Sequence, residues 1–103
     1  MPRAKPARLL RLHFSTQDRY EGHPLYEAIV ARCREMHIAG ATVFRGLEGY
    51  GESAGIHLDS VIVTIVDDAE NIERLIPEVE RMMQSGMIAV SDVEAIRMEK
   101  TTG

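Results

Sequence analysis

The sequence predicts an α+β fold of the ferredoxin-like kind, with elements in the order β-α-β-β-α-β and two helices on one face of a four-stranded antiparallel sheet. Two stretches, 24–37 and 69–85, repeat apolar residues near the 3.6-residue helical period. Four others, 9–14, 41–47, 61–66 and 87–98, alternate or run continuously apolar as strands do. Polar, glycine-bearing turns separate these runs.

With 103 residues, 45 % hydrophobic and 27 % charged, the chain has the composition of one ordinary globular domain. The expected boundaries are a flexible basic arm over 1–8, the domain over 9–100 and a tail over 101–103. A net charge of −4 and the absence of Trp argue against a general nucleic-acid binder. The single cysteine, Cys33, leaves no internal disulfide. No apolar stretch approaches the length of a membrane span or a secretory leader, so a cytoplasmic protein without membrane insertion is expected.

The first strand places Leu10, Leu12 and Phe14 on one face and Leu9, Arg11 and His13 on the other. Residues 15–22 are polar and turn-like. Pro24 suits the first turn of a helix, where its missing N–H has no partner to lose. Leu25, Ala28, Ile29, Cys33 and Met36 then form its core stripe, and Gly40 is expected to end it. Cys33 reads as packing, because nothing places an electropositive group beside it.

A strand over 41–47 leads into a turn with glycines at 46, 49 and 51. Such a turn can take positive φ and present backbone N–H groups to an anion, although its spacing matches neither a Walker loop nor a dinucleotide fingerprint. His57 and Asp59 share one face of an extended segment and are weak candidate metal ligands. His13 is a weaker one.

Val61 to Val66 is apolar on both strand faces, whereas a sheet with one wet face would alternate. Another copy of the chain is the natural cover, and association is expected to be obligate. Asp67-Asp68 caps the second helix, whose stripe is Ile72, Leu75, Ile76, Val79, Met82 and Met83, with Pro77 inside it. The last strand reads as interrupted, Met87 to Val90 and then Val93 to Met98. No nucleophile–base pair, carboxylate dyad or cofactor motif is evident, so no enzymatic activity is expected.

Several motifs carry a family resemblance. They are Tyr20-Glu21-Gly22 with Pro24-Leu25-Tyr26-Glu27-Ala28, Gly40-Ala41-Thr42-Val43 with Arg45-Gly46 and Gly49-Tyr50-Gly51, Ile65-Val66-Asp67, and Asp92-Val93-Glu94. Together they resemble the PII-like superfamily, most closely its uncharacterised branch, the domain of unknown function 190 family. That resemblance implies a homotrimer with sheets packed inward and clefts between subunits that bind a small anionic metabolite, an adenine nucleotide above all. It also implies signalling to a protein partner such as a membrane transporter.

Matched motif by motif, Thr42, Gly49, Tyr50, Gly51 and Ser53 would border the cleft, and Arg97 and Lys100 would be the counterparts of the phosphate-binding pair. The chain departs from the pattern in two places. The 52–60 loop is shorter and has no tyrosine for a covalent switch, and the phosphate loop after the second helix is reduced to Ser85-Gly86-Met87. The alternative within the superfamily is a metal-binding trimer of the cation-tolerance type.

Overall fold

A computed structural model describes residues 4–46, 50–51, 55–56 and 60–98. Its elements are β1 (Lys5–Ser15), β2 (Arg19–Tyr20), β3 (His23–Pro24), α1 (Leu25–Glu35), β4 (Ala41–Gly46), β5 (Tyr50–Gly51), β6 (Gly55–Ile56), β7 (Ser60–Asp67), α2 (Ala69–Met82) and β8 (Met87–Ala95). β4, β7, β1 and β8 lie side by side in that order, every pair antiparallel. The predicted four-stranded sheet with two helices is therefore present. The short β2–β3 and β5–β6 pairs are additions to it.

Alternation along the two central strands decides which side the helices cover. Leu10, Leu12 and Phe14 of β1 and Val61, Val63 and Ile65 of β7 form one buried cluster with Leu25, Ile29 and Cys33 of α1 and Ile72, Leu75, Val79 and Met82 of α2. Pro77 lies on the exposed side of α2, where water can satisfy the carbonyl its ring leaves unpaired.

The opposite side chains turn away from both helices. In register across the sheet, Phe44, Ile62, His13 and Met87 form one row and Thr42, Thr64, Arg11 and Ala89 the next. Phe44 is 53 % exposed and Met87 61 %. Among the described residues this open face has no acidic side chain within the four strands.

The structure corrects several boundaries. Residues 5–8 of the expected arm belong to β1, paired with Glu94, Val93 and Asp92 of β8 through Pro6, Ala7 and Arg8. Pro6 is tolerated because the pairing with β7 begins only at Arg8, so at residue 6 the strand has one neighbour. Arg8 is held by Asp92 at 3.1 Å and Glu73 at 3.2 Å.

Helix α1 ends well before Gly40. His37 takes the left-handed turn at φ 59, and its N–H donates to the Arg34 carbonyl while that of Ile38 donates to Cys33. This is a Schellman cap, closed by the apolar pair Ile38 and Cys33 in the core. The last strand is continuous, because Ser91 and Asp92 pair with Leu9 and Arg8 rather than breaking the ladder. Leu47, the expected end of the second predicted strand, lies outside the described residues.

Candidate functional site

Of the residues predicted to bind a ligand, Thr42 and Arg97 are described with their side chains, and both stand towards one end of the sheet. Thr42 is exposed on edge strand β4 and pairs with Thr64, three residues before the end of β7. Arg97 follows β8 at that same end of the sheet. The glycine turn leaves the sheet at the other end, where Gly46 pairs with Ser60. From Ser60 to Asp67 a strand rises about 23 Å at roughly 3.3 Å per residue, so the two halves of the predicted site are anchored far apart.

For Tyr50 and Gly51 the backbone pairs with Ile56 and Gly55 in the β5–β6 hairpin. Gly49, Ser53, Lys100 and the candidate metal ligands His57 and Asp59 lie outside the described residues. Among the described residues no group of three His, Cys, Asp or Glu side chains could hold a metal ion.

At the Arg97 end, a cleft of about 570 Å³ opens between the start of β1, the end of β7 and the chain leaving β8. Lys5, Arg97, Asp67 and Asp68 line it, together with the apolar side chains of Val66 and Met98. Sequence reasoning missed three of these polar residues. Lys5 was assigned to a frayed arm, although the alternation of Leu9 and Arg11 could have been traced back through Ala7. In the sequence Asp67 and Asp68 read as a helix cap, with Asp67 also part of the Ile65-Val66-Asp67 motif.

Their actual roles differ from that cap. Asp68 occupies the N-cap position but its side chain makes no capping bond. Asp67, one residue earlier, accepts the Ala39 N–H at 2.9 Å and the Asp68 N–H at 2.7 Å. Burial alone would raise its pKa. Those two N–H groups, the Asn71 side chain and the charge of Arg97 together lower it below the ordinary value, so Asp67 is a fixed carboxylate. It ties the turn before β4 to the start of α2.

The other candidates settle differently. Cys33 is buried, and burial raises its pKa to about 11, so it is a packing residue rather than a nucleophile. His13 is half-buried on the open face beside Arg11. Gly86, at the opposite end from the cleft, has φ +114, and a Cβ there would meet the His13 carbonyl oxygen at 2.2 Å. A residue without a Cβ is therefore needed there for the close approach to β1.

A family model described as "Uncharacterized ACR, COG1993" (DUF190) matches residues 7–95. The chain belongs to this family. A UPF0166 protein of Aquifex aeolicus is 35 % identical in a 98-residue alignment that covers 86 % of this chain and 92 % of the relative. Among solved structures, the chain is similar to CPII of Thiomonas intermedia K12, a nitrogen regulatory PII-like protein crystallised with ADP, AMP and bicarbonate. That likeness has a TM-score of 0.72 at 17 % identity and covers 89 % of this chain and 97 % of CPII.

The chain is also similar to the divalent ion tolerance protein CutA1 of Ehrlichia chaffeensis. Here the TM-score is 0.63 at 14 % identity, over 90 % of this chain and 84 % of that one. At such identities the shared feature is the fold, which is PII-like. No helix among the described residues is long and apolar enough to cross a membrane.

Proposed function

We propose that this member of the family is a ligand-sensing regulator that works as a homotrimer and binds an adenine nucleotide in clefts between subunits. The carrying observation is the cleft where Lys5 and Arg97 stand beside an apolar wall of Val66 and Met98. Guanidinium and ammonium groups match phosphate, and an apolar wall suits a base. One chain anchors the glycine turn and Arg97 at opposite ends of its sheet, so a ligand touching both would lie between copies. The open row Phe44, Ile62, His13 and Met87 is the surface such copies would bury.

In this reading the 51–59 segment reports occupancy to a protein partner such as a membrane transporter, from a cytoplasmic location, and the role is binding rather than catalysis. The likeness to CutA1 supports a second reading, a metal-binding trimer using His57 and Asp59. Calorimetric titration with AMP, ADP and ATP, with and without Mg²⁺, tests the first; metal analysis of untagged protein and of His57→Ala tests the second. Arg97→Ala is expected to weaken nucleotide binding by about 1.5–3 kcal/mol, the range for a charge-assisted hydrogen bond. Unchanged affinity in that variant, or no binding by the wild type at millimolar nucleotide, defeats the nucleotide reading.

A further inference from the structure

We propose that Asp67 and Asp68 act as a charge filter on the cleft, so that it accepts nucleotides with few phosphates unaided and those with more only when a divalent cation accompanies them. The inference rests on the nucleotide reading above and adds the property by which one nucleotide is told from another.

Among the described residues the walls carry two cations, Lys5 and Arg97, and two carboxylates, Asp67 and Asp68, so the formal charges of these four balance. A balanced cleft offers a monophosphate one or two favourable contacts, yet each further phosphate brings more negative charge towards the aspartates. Asp67 is unable to turn aside, because its oxygens are committed to the Ala39 and Asp68 N–H groups. It also shares the field of Arg97, so a phosphate must compete with it for that guanidinium. Asp68 makes no capping bond, which leaves its carboxylate available to the cleft. Mg²⁺ is held by one or two carboxylates together with substrate phosphates, an arrangement that would turn Asp68 from a repelling group into a ligand.

The test is calorimetric titration of wild type, Asp68→Asn and Asp67→Asn with AMP, ADP and ATP, each in EDTA and in excess Mg²⁺, with circular dichroism to confirm the fold of each variant. In EDTA the wild type should bind AMP more tightly than ATP, and Mg²⁺ should narrow the gap. Asp68→Asn should improve ATP binding in EDTA on the order of tenfold, from the loss of one nearby like charge, while AMP gains less. The same variant should lose most of the benefit of Mg²⁺. Equal affinity of the wild type for AMP and ATP in EDTA, or an unchanged AMP-to-ATP ratio in Asp68→Asn, overturns the filter while leaving nucleotide binding intact. No binding of any nucleotide by the wild type overturns the nucleotide reading, and the filter with it.

Discussion

The two faces of the sheet come from the same alternating strands, yet they meet opposite demands. On the helix side, Val61, Val63 and Ile65 are at most 2 % exposed and join a core completed within one chain. On the other side, Ile62, Thr64 and Val66 of the same strand share the surface with Phe44, Met87, Arg11 and His13, and no element of the described chain covers them. Alternation makes two apolar faces available, and the chain supplies helices for only one. Fold stability thereby rests on one set of side chains of the strand, and the other set is the surface that the proposed association would use.

Breaking the covered face should have the largest effect. Leu10→Ala removes a fully buried side chain and should cost about 2–5 kcal/mol in chemical denaturation, and Val63→Asp should prevent folding altogether. The same substitution one residue away, Ile62→Asp, should act on association first. Sedimentation should show loss of the assembled species together with aggregation, and a helical circular dichroism that survives in a stable monomer would show that association is not obligate. A wild-type chain that sediments as a folded monomer at micromolar concentration would show that the open face is not a subunit interface.

A backbone test compares the edges of the two faces. Gly86→Ala must fit a Cβ against the His13 carbonyl at a φ that L residues rarely adopt, for a cost of about 1–3 kcal/mol. Gly46→Ala should cost less. Its Cβ would meet mainly the Ser60 hydroxyl, which can rotate away. Equal denaturation midpoints for the two variants would mean that the close approach at Gly86 relaxes easily.

The smallest expected effect is one of pH, and it sharpens the difference in polarity between the faces. Burial first, and then the charge of Arg11, lower the pKa of His13 from 6.5. The unfolded chain therefore binds its proton more readily than the folded one, and stability rises with pH through this group. The penalty is absent well above 6.5 and grows as pH falls below it. His13→Gln should flatten the pH dependence of the denaturation midpoint in that window, and an unchanged slope would assign it to other groups.

How much of this was legible in the sequence differs between elements for physical reasons. The core stripes Leu10-Leu12-Phe14, Leu25-Ile29-Cys33 and Ile72-Leu75-Val79 follow from periodicity, because burial on one side of a helix or strand imposes that period directly. The same logic identified both apolar faces at 61–66. Where the reading failed, a partner distant in sequence overrode a local signal. Residues 5–8 read as part of a flexible arm, but β8 supplies their pairing; Ser91-Asp92 looked like a break, but Leu9 and Arg8 continue the ladder. Gly40 looked like the helix stop, and His37 takes the left-handed position because Ile38 is drawn into the core.

The candidate site shows the same division. Arg97 could be singled out from the sequence through its match to a basic pair. That it shares a cleft with Lys5, Asp67 and Asp68 could not, since these come from three chain segments that meet only when β1 is inserted between β7 and β8. By itself the sequence determined the element order, the buried stripes and the surplus apolar face, because these depend on the spacing of residues within a run. Tertiary structure alone decided the sheet order, the reach of β1 back to Lys5 and the meeting of Lys5, Asp67, Asp68 and Arg97 at one cleft, because those depend on which distant strands become neighbours.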